Sequence, residues 1–187
     1  MPNGKKILMI HKGEKVLMEK PNFEDVIPDY LESGYMEAAL GFAGFLRENN
    51  FIARLSTTNT ETWKAAHKSK IICTVHLKSW TKDAKWLIVP HLDNLHKYAE
   101  QVFGEGLQDT VWNGIVICNG CPPSKGGRRS VNRPCIGGRD GTILGRDFKG
   151  ICVNIPLTRV WDPNETEISI IKRLLELEKQ ARENDGK

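Results

Sequence analysis

Residues 60–77 read TETWKAAHKSKIICTVHL, and this stretch decides the predicted fold. The run at 71–77 is rich in β-branched residues and almost continuously apolar, which is typical of a buried central strand. The residues before it, 60–68, are predicted as a short helix. A helix that leads into a buried strand is typical of sheets whose strands run mainly parallel.

Strands and helices alternate on both sides of this stretch. Further strands are predicted at 5–10, 15–18, 51–55, 86–89, 114–118 and 151–157. Further helices are predicted at 35–47, 91–103 and 163–180, and loops at 21–28 and 119–141. The last helix is predicted to begin with Asp162 as N-cap, Pro163 at its first position and Glu165 as the capping-box acid.

This alternation predicts an α/β fold. We expect residues 1–187 to form a single α/β domain with a central mixed, mainly parallel sheet and helices on both faces. The long loop at 119–141 is rich in Gly, Arg and Cys, and loops of that length are usually functional or mobile.

The composition is that of an ordinary globular protein. Apolar residues make up 40% of the chain and charged residues 27%, and the formal net charge is +4. A charge this small identifies no partner by itself. The apolar residues 7–10 are too few for the core of a signal peptide, and no apolar run is long enough to span a membrane. We therefore expect cytoplasmic synthesis without a signal peptide, and release by another route if the protein acts at the cell wall.

Three residues form a candidate metal site. His11 follows the first predicted strand, Glu37 begins the helix at 35–47, and His76 lies near the end of the strand at 71–77. In an α/β sheet, strand ends and helix starts converge at one rim. Two imidazoles and one carboxylate can hold a catalytic zinc ion, whose bound water has its pKa lowered to about 7 and attacks a carbonyl carbon. The alternative is that these histidines are surface residues or hydrogen-bonded core residues.

The same residues carry a resemblance to a known family. Residues 7–13, ILMIHKG, place His11 at a strand end within a glycine-containing turn; residues 36–46, MEAALGFAGFL, place Glu37 at a helix start; residues 74–77, TVHL, place His76 at a strand end. In these features and in the order of its elements the chain resembles the zinc-dependent N-acetylmuramoyl-L-alanine amidases of autolysins and phage lysins. The resemblance implies cleavage of cell-wall peptidoglycan, with His11, Glu37 and His76 as the zinc ligands.

The chain departs from that family at the predicted catalytic base. Met9 and Ile10 replace the usual aspartate and glycine, the loop at 119–141 is longer, and the family's catalytic glutamate falls at Asn154. Asparagine cannot accept a proton as a general base. Either Glu165 or another carboxylate substitutes for it, or the domain binds without cleaving.

The cysteines form a second candidate site. Cys118, Cys121, Cys135 and Cys152 fall in one stretch, and Cys118 and Cys121 form a CxxC motif. The chain has five cysteines, so a full set of disulfides is impossible, and reduced thiols are expected without an export signal. We expect the first three to approach one another, either around zinc or as partial disulfides, whereas Cys152 lies inside an apolar strand and is more simply explained as a core residue.

The loop also carries positive charge that could bind an anion. Its basic residues are Lys125, Arg128, Arg129, Arg133 and Arg139. Such a loop could bind phosphates, nucleic acid or an anionic wall polymer, or it could be a solvated surface loop.

Three functions follow from these features. The first is a metal-dependent amide hydrolase with zinc as cofactor and peptidoglycan or another anionic polymer as partner. The second is a nucleic-acid-binding or nuclease-like protein that uses the basic, Cys-rich loop. The third is a non-catalytic binding domain with the amidase fold.

Overall fold

The computed structural model describes residues 6–11, 14–19, 21–57, 61–78, 84–118, 137–153 and 156–185, and only the backbone of the first two ranges. In chain order the described strands are β1 (Lys6–His11), β2 (Glu14–Glu19), β3 (Ile52–Leu55), β4 (Thr62–His67), β5 (Lys70–His76), β6 (Leu87–Pro90), β7 (Gly138–Ile143), β8 (Arg146–Cys152) and β9 (Val160–Trp161). The described helices are α1 (Phe23–Tyr30), α2 (Ser33–Glu48), α3 (Ala99–Gly104), α4 (Gln108–Asn113) and α5 (Glu165–Asn184).

The central sheet is antiparallel. Its five strands follow the order β3-β4-β5-β6-β9, and every neighbouring pair is antiparallel. Strands β1 and β2 form a separate two-stranded sheet, as do β7 and β8. The prediction of a mixed, mainly parallel sheet is therefore wrong, although the stretch predicted at 71–77 is an inner strand, as expected.

The error arises in residues 60–68, which form strand β4 rather than a helix. Lys68 and Ser69 connect β4 to β5, and both have positive φ angles, 46° and 69°. Two such residues form the type of turn that joins antiparallel strands directly, whereas parallel strands need a long crossover connection. Because β4 pairs with β5 in a hairpin, the crossover that a parallel sheet requires is missing at this point.

Helices α1, α2 and α5 pack against one face of the sheet. Its strands contribute Trp63, Ala65, Cys73, Val75 and Ile88 to the shared core, and the helices contribute Ile27, Phe42, Leu46, Ile171 and Leu175. Helix α2 confirms the helix predicted at 35–47. Residues 21–28, predicted as a loop, enter helix α1 instead, because Asn22 and Asp25 cap its first turn through a side-chain hydrogen bond of 2.8 Å.

Helix α5 is capped two residues later than predicted. The side chain of Asn164 accepts a hydrogen bond from the Glu167 amide, and the Glu167 carboxylate accepts one from the Asn164 amide, both at 3.0 Å. Asp162 instead accepts hydrogen bonds from the backbone amides of Lys85 and Trp86, at 2.7 and 2.9 Å. Asp162 therefore holds the start of β6 beside β9, and the capping roles predicted for Asp162 and Glu165 are wrong.

The opposite side of α5 packs against α3 and α4. This second core contains Leu92, Tyr98, Val102, Val111, Leu174 and Leu177. The single helix predicted at 91–103 is a short 3-10 turn, Leu95–Lys97, followed by α3. Residues 114–118, predicted as a strand, form only isolated bridges in the described structure. The strand predicted at 151–157 corresponds only to the end of β8, which stops at Cys152.

A buried carboxylate connects α5 to these helices and to the sheet. Glu178 is fully buried, and its oxygens accept hydrogen bonds from the Asn94 amide, the Tyr98 hydroxyl and the Arg182 guanidinium, at 3.0, 2.9 and 2.7 Å. Arg182 also donates to the backbone carbonyls of Ile71 and His91. Burial and the nearby Glu178 carboxylate raise the pKa of Tyr98, so its hydroxyl remains a donor.

None of the described helices combines the length and the apolar composition that crossing a membrane requires.

Candidate functional site

The sheet face opposite α1, α2 and α5 carries two rows of side chains. Directly paired residues on neighbouring strands project to the same face, and successive residues along a strand alternate between faces. One row runs across four strands and consists of Thr62, His76, Leu87 and Trp161. The next row consists of Arg54, Lys64, Thr74 and Val89.

Two hydroxyl–imidazole pairs lie on this face. Thr62 Oγ1 lies 3.0 Å from His76 Nδ1, and Thr74 Oγ1 lies 3.0 Å from His91 Nε2. The threonines are on neighbouring strands, so the two pairs are adjacent. Thr62, Thr74 and His76 are buried, and His91 is half-buried.

The surroundings keep both imidazoles neutral. Burial lowers the pKa of His76, and the positive charges of Arg159 and Lys64 lower it further. Burial also lowers the pKa of His91, and the positive charges of Arg182 and Lys64 lower it further. The carboxylates of Asp93 and Glu178 raise it, each by less than burial lowers it. A neutral imidazole has one donor and one acceptor nitrogen, so each ring can bond to the hydroxyl of its threonine in either direction.

Positively charged side chains lie in or beside the two rows. Arg54 and Lys64 are exposed, Arg159 is half-buried close to His76, and the two rows contain no carboxylate. Neither Arg54 nor Lys64 forms an ion pair with a described residue. We call the surface formed by Arg54, Lys64, Thr74, His76 and Arg159 the basic face.

The position of Arg159 depends on a glycine. The Arg159 amide donates a 2.8 Å hydrogen bond to the Gly114 carbonyl, which holds the segment after α4 against the one before β9. A Cβ atom at Gly114 would lie 2.8 Å from the Arg159 carbonyl oxygen, closer than Cβ atoms approach backbone atoms. Glycine at 114 therefore allows the close approach that places Arg159 beside His76.

Of the predicted zinc ligands whose side chains are described, His76 lies on the basic face and Glu37 lies away from it. Glu37 is exposed on α2, whose core residues pack on the other face of the sheet, and His11 ends strand β1 of a separate sheet, with its side chain outside the described part. Among the described residues, no group of three metal-binding side chains lies together. Assignment of zinc to His11, Glu37 and His76 stays a prediction from the sequence.

The remaining predicted site residues are only partly described. Asn154, Cys121, Cys135, Lys125, Arg128, Arg129 and Arg133 lie outside the described residues. Glu165 is exposed in the first turn of α5, and Arg139 is exposed on β7. Cys118 and Cys152 are free thiols, and the Ile117–Ile151 bridge brings their segments close together. The predicted cluster with Cys121 and Cys135 stays a prediction.

Sequence reasoning missed Arg54, Lys64 and Arg159, and it left His91 out of the site as a solvated residue at a helix start. If residues 62–67 are read as a strand, Thr62 and Lys64 lie on the same face of the sheet. This alternation was the sequence signal for a polar sheet face. No such signal existed for Arg159, because its proximity to His76 depends on the pairing of segments distant in sequence.

Comparison with known proteins found no family model, no curated protein and no solved structure that matches this chain.

Proposed function

We propose that the protein binds nucleic acid through the basic face. The observation that carries this proposal is the pair of exposed cations Arg54 and Lys64, directly opposite each other in a row without a carboxylate, with the Arg159 charge close to the same face. Charges of one sign repel one another and gain a counter-charge when they bind a polyanion.

The other side chains of the basic face suit the same ligand. Arg, Lys and Thr are common donors to phosphate oxygens, and these contacts make up half or more of protein–DNA hydrogen bonds. Arg54 and Lys64 lie directly opposite each other on neighbouring strands, which are about 4.8 Å apart. Their long side chains can therefore contact neighbouring phosphates.

Fluorescence anisotropy with short labelled oligonucleotides, single-stranded and duplex, tests this function. The double variant Arg54→Ala/Lys64→Ala should bind more weakly, and its affinity should fall less steeply with salt. Each lost phosphate contact reduces the log–log salt slope by about 1, so we expect a reduction of about 2. The variant Lys172→Ala/Lys179→Ala loses the same charge from α5, where these lysines lie over Phe45 and Phe51, and it should keep the wild-type slope.

Two results would contradict the proposal. If Arg54→Ala/Lys64→Ala and Lys172→Ala/Lys179→Ala lose the same affinity for the oligonucleotide, then net charge and not the basic face attracts it. Equally tight binding to heparin, which has sulfates but no bases, would show affinity for any polyanion, including an anionic wall polymer.

The zinc-dependent amidase is a second candidate function. One observation favours it: burial lowers the pKa of His76, and the neutral imidazole is the form that binds zinc. Metal analysis of the purified protein should then find about one zinc per chain, and His76→Ala should lose it. Peptidoglycan release should be slow in the wild type and faster in Asn154→Glu, which supplies the missing general base. Absence of zinc, or zinc that persists in His76→Ala, would contradict this function.

A further inference from the structure

A groove of about 790 Å³ runs beside strand β3. Its apolar lining comes from Phe23 of α1, Ala43 and Leu46 of α2, and Ala53, Leu55 and Trp63 of the sheet. Pro21 and Asn22, which precede α1, also line it, and the Glu24–Arg47 ion pair of 2.7 Å lies at its border. The groove is therefore lined by both apolar and charged side chains.

Strand β3 is an edge strand whose outer hydrogen-bonding groups face this groove. Within the described part of the chain it pairs only with β4. The Ser56 amide donates to the Thr62 carbonyl, which fixes the alternation of bonded and non-bonded pairs along the two strands. By that alternation the backbone groups of Ala53 and Leu55 point away from β4, and the same residues line the groove.

The outward amides of Ala53 and Leu55 are donors that an occupant of the groove can reach, whereas the Trp63 indole is buried and contributes apolar surface to the lining. These amides and the neighbouring outward carbonyls suit an occupant that offers backbone carbonyls and amides. An extended peptide strand has that chemistry.

The chain contains such an occupant next to the groove. Strand β2 ends at Glu19, two residues before Pro21 in the groove lining. Strands β1 and β2 read KILMIH and EKVLME, and they form a two-stranded sheet of their own. An isolated two-stranded hairpin is marginally stable in water, so an apolar hairpin gains stability by joining a larger sheet. The short connection also holds it at a high effective concentration beside β3.

We propose that the amino-terminal hairpin, β1 and β2, docks along the edge of β3 and fills this groove. Its backbone pairs with Ala53 and Leu55, and the apolar composition of KILMIH and EKVLME suits the apolar part of the groove lining. Docking removes an exposed edge, which would otherwise pair with another chain.

Residue-resolved amide hydrogen exchange on the full chain tests this docking. In the wild type, the outward amide of Leu55 should exchange slowly, although β4 does not bond it. The variant Ala53→Pro removes one outward donor without breaking a bond to β4, and proline is tolerated at such edge positions. In that variant the Leu55 amide should exchange at least about tenfold faster, while the Arg54 amide, which faces β4, should keep its rate.

A second variant covers the case in which Ala53→Pro fails to fold. Leu17→Asp places a charge in the hairpin and leaves β3 unchanged, and it should also speed exchange at Leu55. Rapid exchange at Leu55 in the wild type would overturn the proposal. Protection that appears only as protein concentration rises would also overturn it, because a second copy, and not the hairpin, would then cover the edge.

Discussion

Two regions of this protein surround their arginines differently: around α5 the arginine is buried and ion-paired, and on the basic face it is exposed beside another cation. Around α5, the Arg182 side chain is only 7% exposed, and it meets the carboxylates of Glu178 at 2.7 Å and Asp93 at 2.9 Å. On the basic face, Arg54 is exposed and lies opposite Lys64, in a row without a carboxylate. The first region neutralises its charges inside the fold, and the second gathers charges of one sign on the surface.

The difference separates residues that hold the fold from residues available to a ligand. A buried ion pair is strongly destabilising to break, because one partner is left charged and without compensation. Exposed cations that repel one another add little or nothing to stability, and real proteins accept such local costs mainly at functional sites. We therefore expect substitutions in the α5 network to change stability, and substitutions on the basic face to change binding.

The largest effect should follow from Glu178→Ala. Removing this carboxylate leaves the buried Arg182 with the Asp93 carboxylate alone and deprives Asn94 and Tyr98 of their acceptor. Breaking a buried pair costs about 3–5 kcal/mol of unfolding free energy. Urea unfolding followed by circular dichroism measures this loss.

The matched control is Glu176→Ala, two residues earlier on the same helix. Glu176 forms an ion pair of 3.3 Å with Arg173, and both side chains are more than a third exposed. Exposed pairs contribute about 0–1 kcal/mol, so this variant should unfold close to the wild-type midpoint. If Glu178→Ala and Glu176→Ala lose the same unfolding free energy, the buried carboxylate of Glu178 contributes no more to stability than an exposed one, and the distinction between the two regions is wrong.

The sequence predicted most elements but not how they are joined. Helix α2 and strand β5 were found because their apolar residues follow a helical period and a continuous β-branched run. Strand β4 was missed because TWKAAH contains alanine and lysine, which favour helices, and its pairing between β3 and β5 overrides that preference. Lys68 and Ser69 also lack the Asn-Gly or Asp-Gly signal of a tight hairpin.

The candidate site was predictable only in part. His76 was identified from its position in a strand, and it does lie on the basic face. Its neighbours Thr62 and Lys64 depend on the missed strand β4, and Arg159 depends on a close approach to Gly114. Glu37 was grouped with His76 on the assumption that helix starts and strand ends share a rim, which holds for parallel sheets and not for this antiparallel one.

The smallest effect concerns His91, where the two regions meet. Its backbone carbonyl accepts a hydrogen bond from Arg182, and its ring bonds to Thr74 on the basic face. The charged groups around the ring are Asp93, Glu178, Arg182 and Lys64, and burial exceeds each of them in its effect, so the pKa of His91 is lowered. In the unfolded chain this histidine titrates near its ordinary pKa of about 6.5.

The sign of the pH dependence follows from that shift. As the pH falls through about 6.5, the unfolded chain takes up a proton at His91 that the folded protein binds only at lower pH, so acid favours unfolding. The stabilisation is fully present above pH 6.5 and is lost as the pH falls towards the lowered folded pKa. His91→Gln keeps a group that can bond Thr74 but does not titrate, so its unfolding free energy should fall less between pH 7 and pH 5 than that of the wild type. If the unfolding free energy of His91→Gln depends on pH as steeply as that of the wild type, then the fold does not lower the pKa of the His91 ring, and this prediction is wrong.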